Sequence, residues 1–224
     1  MTGPAGRFEL STRVGSAADL HGAAVDIATG ARPRAAWLEV TAPALVIGSA
    51  QPIAHIDLDA CARGSVTVVR RRSGGGAVLV VPGEMVWLDV VVASDDPCWN
   101  DDVGRAMWWL GDVWAEALTA CGVTDVAVHH GAVQHTAWSR QVCFDGLGGG
   151  EVSVGGAKLV GISQRRTRGW ARLQSAAHVV WRGDEMVEML AAPRPAPGEL
   201  GRPAVLDADL VHLRAALAEA LSAR

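Results

Sequence analysis

The residues whose types could do chemistry fall into two segments that each combine arginine with glycine. The first runs from Arg70 to Val78 and reads RRRSGGGAV; the second runs from Gly155 to Arg168 and reads GGAKLVGISQRRTR. Glycine has no Cβ, so backbone N–H groups at such positions can approach a bound anion closely, and neighbouring cations add charge complementarity. The segments therefore indicate a site for a carboxylate or another anion. The alternative for the first segment is a hairpin tip with solvated charges.

A single lysine stands in the second segment. Of the twenty basic residues nineteen are arginine, and Lys158 is the exception. Lysine presents a compact point charge where arginine presents a planar fork, so the two are not interchangeable at a site. A tight turn is predicted at Gly155-Gly156 just before Lys158, and Gly161 leaves room for a ligand beside the backbone. We predict that Lys158 lies against a ligand. The alternative is an exposed hairpin lysine that a coding bias toward arginine happened to leave.

Composition excludes several classes of protein. The chain has 224 residues, 50% of them hydrophobic, and a formal net charge of -4, which is typical of a globular protein and argues against a general nucleic-acid binder. No apolar run approaches the roughly 18 to 20 residues of a membrane span, and the N-terminal sequence lacks the pattern of a secretory signal. We therefore expect a cytoplasmic protein without membrane or nucleic-acid partners. The four cysteines form no C-x-x-C pair and the histidines lack ligand spacing, so we predict no metal site.

The elements that must position the two segments are predicted from hydrophobic periodicity and turn residues. Helices are predicted over 15–30, 100–121, 184–190 and 207–222, with Asn100 capping the second. Strands are predicted over 36–47 with a break at Pro43, and over 66–71, 77–81, 86–92, 125–128, 141–144, 151–154, 158–163 and 171–181. Strands in consecutive groups, with helices between the groups, favour an α+β fold with a mostly antiparallel sheet flanked by helices. Residues 1–192 are predicted to form the main domain, followed by a proline-rich link and a C-terminal helix over 193–224.

Both segments, taken in order, match the patterns of a known family. The pattern R-R-x-[ST]-G-G-G-A-V is met by Arg70, Arg71, Ser73, Gly74, Gly75, Gly76, Ala77 and Val78. The pattern G-x-K-[IL]-x-G-x-[AS]-Q-R-R is met by Gly156, Lys158, Leu159, Gly161, Ser163, Gln164, Arg165 and Arg166. An early G-x-x-Q turn is met by Gly48 and Gln51. On these motifs, residues 15–190 resemble the lipoate-protein ligase A and octanoyltransferase family, which shares its fold with biotin-protein ligases.

The resemblance implies a catalytic domain of the biotin and lipoate ligase type that transfers lipoate or octanoate to a lysine of a lipoyl domain. In a ligase of this kind the acyl group is activated as an adenylate with ATP and Mg²⁺, and Lys158 would hydrogen-bond the carbonyl and bridging oxygens. Arg70 and Arg71 would complement the anionic leaving group. Trp87 is either a core residue or a wall of the acyl tunnel. The substrate-binding residues implied in this way are Arg70, Arg71, Ser73, Gly74, Gly75, Gly76, Ala77, Gly156, Gly161, Ser163 and Gln164.

Cys143 supports a second route within the same resemblance. In one octanoyltransferase class, a C-F-D segment ahead of the lysine motif provides a cysteine that takes the acyl group from an acyl carrier protein without any cofactor. Cys143-Phe144-Asp145 meets that segment, and Val80-Val81 stands where many ligases carry His-Asp. A neighbouring cation would favour the nucleophilic thiolate. The alternative for Cys143 is a buried inert thiol, and the alternative for the whole chain is a catalytically silent relative that only binds an acyl group or a carrier.

Overall fold

The computed structural model describes residues 6–224, which form two sheets and five helices. The strands are β1 (Glu9–Gly15), β2 (Arg34–Val40), β3 (Ala44–Ile47), β4 (Thr67–Arg70), β5 (Val78–Val80), β6 (Met85–Ala93), β7 (Val126–Val128), β8 (Val152–Val154), β9 (Ala157–Arg166) and β10 (Trp170–His178). The helices are α1 (Ala17–Gly22), α2 (Leu58–Arg63), α3 (Trp108–Ala120), α4 (Gly183–Glu188) and α5 (Leu210–Ser222). Short 3₁₀ turns cover Ile53–His55 and Cys143–Asp145. Within this described part of the chain, no helix is long and apolar enough to cross a membrane.

The topology is mostly antiparallel. The larger sheet has seven strands in the order β1-β2-β6-β10-β9-β8-β7, and the smaller sheet has three in the order β4-β3-β5. Neighbouring strands are antiparallel except for the parallel pairs β1–β2 and β3–β4. The predicted α+β class is therefore confirmed. The centre of the larger sheet is formed by β6, β10 and β9, and β9 carries the second arginine-bearing motif.

Helices cover one face of the larger sheet. Here α3 and α5 pack against each other and against the sheet, and Leu110, Trp114 and Leu217 are fully buried between them. Burying side chains of this size removes a large apolar area from water, which is the main force that holds the layers together. The Trp114 indole N–H donates a hydrogen bond of 2.8 Å to Ser175 Oγ, so its polar atom is satisfied inside the core.

The smaller sheet covers the opposite face. Successive side chains of a strand point to opposite faces, so along β6 Leu88 faces the helices while Trp87 faces the smaller sheet. There Trp87 packs in one cluster with Val46 of β3 and Val80 of β5. The two arginine-bearing motifs meet in the space between the sheets, because the first follows β4 of the smaller sheet and the second lies on β9 of the larger one.

Several predicted elements differ from the structure for local reasons. The helix predicted over 15–30 ends at Gly22. The Asn100 cap is wrong, because Asn100 Oδ1 accepts a hydrogen bond from the Asp102 N–H inside a turn and α3 begins only at Trp108. The strand predicted over 141–144 is also wrong, since Cys143–Asp145 is a 3₁₀ turn. The sequence pattern misses β1 because this edge strand is exposed along almost its whole length and shows no apolar alternation.

The C-terminal segment is tied to the rest of the molecule. Helix α5 contributes Leu213, Leu217 and Leu221, each 0% exposed, to the same core as α3. The chain before it is fixed by backbone hydrogen bonds from Ala204 N to the Lys158 carbonyl (2.9 Å) and from Leu206 N to the His178 carbonyl (2.7 Å). The predicted boundary at residue 192 stays a prediction.

Candidate active site

The triple-glycine bend of the first motif is shaped by Arg71. This buried side chain donates from Nε and Nη2 to the Gly74 carbonyl (3.1 and 2.6 Å), from Nη2 to the Gly76 carbonyl (2.9 Å) and from Nη1 to the Val46 carbonyl (3.1 Å). Burial lowers the pKa of Arg71, and the Cys143 thiol beside it opposes that change. Among residues 6–224, the N–H groups of Gly74 and Gly75 donate to no acceptor. Gly74 and Gly75 are exposed, so their N–H groups are available to a ligand.

Arg70 holds a second turn against this bend. Its Nη1 donates to the carbonyl oxygens of Gly48 (2.8 Å), Ser49 (3.2 Å) and Gln51 (2.6 Å), which are the residues of the G-x-x-Q turn. A Cβ added to Gly48 would lie 1.9 Å from the carbonyl oxygen of Gly75, so the turn and the bend are in direct contact. Both motif arginines thus bond to backbone carbonyls here, and their predicted contact with a leaving group stays a prediction.

The 3₁₀ turn over Cys143–Asp145, which we call the cysteine turn, is joined to the triple-glycine bend at residues 74–76. The N–H of Ala77 donates to the Gln141 carbonyl (2.7 Å), and the N–H of Cys143 donates to the Ala77 carbonyl (3.0 Å). A Cβ added to Gly75 would lie 2.7 Å from Arg71 Nη2 and 3.3 Å from Cys143 Sγ. The thiol is partly exposed, so it is not sealed in the core as the inert alternative requires. It lies next to both the glycine bend and a guanidinium group.

Lys158 is buried behind the cysteine turn, not exposed on a hairpin. It is 7% exposed, and its Nζ donates to the carbonyl oxygens of Cys143 (2.8 Å) and Gly146 (3.0 Å). It also forms an ion pair of 2.6 Å with Glu151 Oε2, and its Nζ lies 5.0 Å from the centre of the Phe144 ring. An ammonium group has three hydrogens, and these three acceptors account for all of them. Lys158 therefore fixes the backbone that carries the thiol.

Among residues 6–224 the charged partner of Lys158 is Glu151, and the sequence analysis misses it. Besides the ion pair, Glu151 Oε2 accepts from Gly148 N (2.6 Å) and Oε1 accepts from Ile162 N (3.0 Å). Both side chains of the pair are only 6% exposed, so the charges are well removed from water. A signal was present in the sequence, because the Gly155-Gly156 turn folds β8 back onto β9 and brings a carboxylate seven residues upstream toward the lysine.

The other predicted residues surround this centre. Ser73 Oγ and Ser163 Oγ share a hydrogen bond of 2.9 Å that links the two motifs. Gly156 adopts a left-handed φ of 78° in the turn before Lys158. A Cβ on Gly161 would lie 3.2 Å from Phe144 Cζ and 3.4 Å from Lys158 Cε, so this glycine leaves space for both side chains. Gln164 is turned toward the rim, where its amide donates to the Val103 carbonyl (2.8 Å).

Two cavities meet at the cysteine. A narrow cavity of about 50 Å³ lies between the sheets, and an open cleft of about 370 Å³ lies over the glycine bend and Lys158. Cys143, Ile162 and Ser163 line both of them. The narrow cavity is bounded mostly by apolar side chains, namely Val46, Val78, Val80, Met85, Trp87, Phe144, Ile162 and Ala176. Its apolar lining is of the kind that accepts a hydrocarbon chain, and Cys143 forms part of its wall.

The polar groups of the narrow cavity are largely neutral. His21 is hydrogen-bonded through Nδ1 to Gln174 Oε1 (3.1 Å), and its ring centre lies 4.6 Å from that of Trp87. Burial lowers the pKa of His21 to about 3, with further lowering by Arg71 and Arg172. Trp87 is thus both a core residue and a wall of the cavity, so the two alternatives predicted for it are compatible. Within residues 6–224, no group of three or more His, Cys, Asp or Glu side chains is placed to hold a metal ion.

Comparisons with known proteins agree with this geometry. The family model described as lipoyl protein ligase A/B catalytic domain matches residues 23–223. The octanoyltransferase LipM of Moorella thermoacetica is 29% identical over 158 residues, which are 69% of this chain and 56% of the relative, so the match spans little more than half of that protein.

Solved structures show the same fold. A bi-partite lipoate protein ligase of Thermoplasma acidophilum, studied with its E2 lipoyl domain, superposes with a TM-score of 0.72 at 18% identity and covers 95% of this chain and 82% of its own. A lipoate-protein ligase A bound with ATP superposes with a TM-score of 0.70 at 19% identity, covering 97% of this chain and 84% of its own.

Proposed function

Since this chain belongs to the lipoyl protein ligase A/B catalytic-domain family, we propose that it transfers an octanoyl or lipoyl group to a lysine of a lipoyl domain through a thioester on Cys143. The observation that carries this proposal is the position of Cys143 in the wall shared by the narrow apolar cavity and the open cleft. An acyl chain in the cavity would end at the thiol, and the cleft would admit donor and acceptor in turn. The octanoyltransferase relative supports the same route.

The reaction proceeds in two balanced steps. The Cys143 thiolate attacks the carbonyl carbon of an acyl thioester on a carrier, a new C–S bond forms, and the carrier thiolate leaves with the proton that Cys143 gave up. The ε-amine of the acceptor lysine then attacks the acyl-enzyme, an amide bond forms, and the Cys143 thiolate leaves with the amine's proton. In both steps the N–H groups of Gly74 and Gly75, which have no acceptor among residues 6–224, would be available to the oxygen that becomes negatively charged.

In this scheme Lys158 adds a positive charge near the site and positions the cysteine turn. Its ammonium group holds the Cys143 carbonyl and so fixes the turn from which the thiol projects. Arg71 is the cation that lies beside the thiol itself. A direct contact between Lys158 and the acyl carbonyl would require the ammonium to exchange one of its three protein acceptors for the substrate.

The residues that line the cleft offer no unpaired cation to the triphosphate of ATP. Of its lining side chains only Lys158 and Glu151 carry full charges, and the two neutralise each other. Arg70 and Arg71 already bond to backbone carbonyls, and Glu151, the one lining carboxylate, has no free oxygen for Mg²⁺. The proposed reaction therefore uses no ATP. The experiment tests the proposal against two alternatives. One is the ATP-dependent ligase route, and the other is a silent relative that only binds.

The test measures intact masses after mixing the protein with a lipoyl domain and one of two donors, either octanoyl carrier protein or free octanoate or lipoate with ATP and Mg²⁺. We expect the lipoyl domain to gain an acyl group from the carrier only, and the enzyme to carry that group when the acceptor is withheld. Cys143→Ser abolishes both gains, whereas Cys121→Ser, a partly exposed cysteine at the end of α3, leaves them intact. A gain that needs ATP and survives in Cys143→Ser identifies a ligase, and binding without any gain identifies a silent relative.

A further inference from the structure

The arginines of the two motifs fall into two groups by what they contact. Arg70, Arg71 and Arg166 donate hydrogen bonds to backbone carbonyls and so have structural partners. Arg72, Arg165 and Arg168 make no hydrogen bond and no ion pair within residues 6–224. We refer to these three as the arginine face. Within the described residues none of the three holds a carbonyl or neutralises a carboxylate, although the Arg165 guanidinium lies 5.4 Å from the centre of the Trp170 ring.

The arginine face borders the open cleft. The Ser73–Ser163 hydrogen bond of 2.9 Å joins the two motifs, and Arg72 directly precedes Ser73. Arg165 lies two residues beyond Ser163 on β9, so both side chains point to the same face of the sheet. Arg168 is exposed in the turn between β9 and β10. Ser163 lines the cleft, so Arg72 and Arg165 lie beside it, and Arg168 follows on the exposed turn after β9.

Among the described residues, no carboxylate pairs with the arginine face to offset the repulsion between its positive charges. Partial burial, and then the like charges of Arg72 and Arg172, hold the pKa of Arg165 below its ordinary value. Arg172 has its own counter-charge, an ion pair of 2.8 Å with the buried carboxylate of Asp89. The chain has 24 acidic residues, yet among the described residues none pairs with the arginine face. A positive rim on a protein of net charge -4 attracts an anionic partner locally and speeds its approach.

We propose that the arginine face docks the acidic carrier protein that delivers the acyl thioester to Cys143. This proposal rests on the proposed function and names the donor, not the acceptor, as the occupant. The acceptor presents a lysine ammonium, which Arg72 and Arg165 would repel as it approached the cleft. The donor brings no cation to the reaction, and its acyl group hangs from a phosphate-linked arm that arginine binds well.

The test compares one acyl group on two donors. Arg72→Glu and Arg168→Glu reverse charge at exposed positions, and Arg63→Glu on α2 is the matched control because Arg63 is exposed and lines a separate groove. The rate of acyl-enzyme formation on Cys143 is measured with octanoyl carrier protein and with octanoyl-N-acetylcysteamine, which has neither protein nor phosphate. We expect KM for the carrier to rise about five- to tenfold in each rim variant at low salt and to converge with wild type as salt increases. The small thioester should react equally with all variants.

Each other outcome counts against the proposal in a different way. Equal losses with both donors mean that the substitutions disturb the chemistry or the fold, and no loss with either means that the face binds nothing relevant. A raised KM for the lipoyl domain, with that for the carrier unchanged, assigns the face to the acceptor instead. If wild type forms no acyl-enzyme even from the small thioester, the proposed function fails. Binding of labelled carrier, followed by fluorescence anisotropy, then still tests the arginine face by itself.

Discussion

Lys158 shows how one side chain can line a cleft while its hydrogen bonds are all made to protein groups. Its ammonium is held by two carbonyls of the 143–146 segment and by Glu151, and the carboxylate is held in turn by two backbone N–H groups. Such a closed network is stiff, because each polar group has its partner at a defined distance. An arginine could not replace the lysine here, since a planar fork does not match three acceptors around a point. The single lysine of the chain is thus explained by geometry as well as by chemistry.

The buried pair makes a prediction at the residue scale. Glu151→Gln leaves the Lys158 charge buried without a counter-charge, so we expect the free energy of unfolding to fall by about 3 kcal/mol. Adding Lys158→Met removes both charges, and we expect roughly half of that loss to be recovered, while acyl transfer is lost because the cysteine turn is no longer held by Lys158. Urea unfolding measures the stabilities and intact mass measures the transfer. A double variant that is less stable than Glu151→Gln alone would contradict this account of the pair.

The glycine bend and the cysteine turn form the element that places the thiol. A Cβ on Gly76 would lie 2.7 Å from the backbone N of Val142 and 2.8 Å from that of Cys143, so the two segments touch along their backbones. Backbone atoms cannot move aside as a flexible side chain can, and the bridge between Ala77 and Val142 continues the contact. The thiol therefore depends on a glycine far away in sequence.

Two alanine substitutions in the same bend test this dependence. Gly76→Ala forces the cysteine turn away from the bend, and we expect acyl-enzyme formation to fall at least about a hundredfold, because displacing a reacting group by about 1 Å costs that much. Gly74→Ala is the matched control, since a Cβ there meets no atom within 4 Å. Single-turnover rates from the small thioester give the comparison. Similar rates in both variants would show that the backbone contact does not position Cys143.

The elements also show what the sequence can and cannot specify. The strands around both motifs and the α+β class follow from local apolar patterns, and β9 begins and ends within a few residues of its prediction. The cysteine turn does not, because the N–H of Cys143 pairs with Ala77 on a segment that is remote in the chain. Glu151 is missed although the Gly155-Gly156 turn brings it toward Lys158, because periodicity locates strands without giving the register in which they pair. Non-local register is the information that a periodicity analysis lacks.

At the scale of the whole molecule, the space between the two sheets is kept free of protonated histidine. Burial lowers the pKa of His178 to about 4, Lys158 adds to this lowering and Glu84 opposes it. His178 lies edge-on to the Phe144 ring, with ring centres 4.6 Å apart, and His21 borders the narrow cavity on the same face of the larger sheet. Both imidazoles are therefore neutral in the folded protein near neutral pH, and both gain a proton more readily when the chain unfolds.

This difference predicts how stability depends on pH. A base whose pKa is lower in the folded state stabilises the fold fully above its unfolded pKa, and that stability is lost as the pH falls toward the folded value. Between about pH 7 and about pH 5 we expect His21 and His178 each to remove about 2 kcal/mol from the free energy of unfolding. Urea titrations of wild type and His178→Gln at the two pH values measure the effect, and the variant should lose about 2 kcal/mol less than wild type on acidification. His212→Gln, on the exposed side of α5, is the control that should keep the wild-type dependence. A His178→Gln variant with the same pH dependence as wild type would mean that this histidine is already protonated in the fold, which burial beside Lys158 opposes.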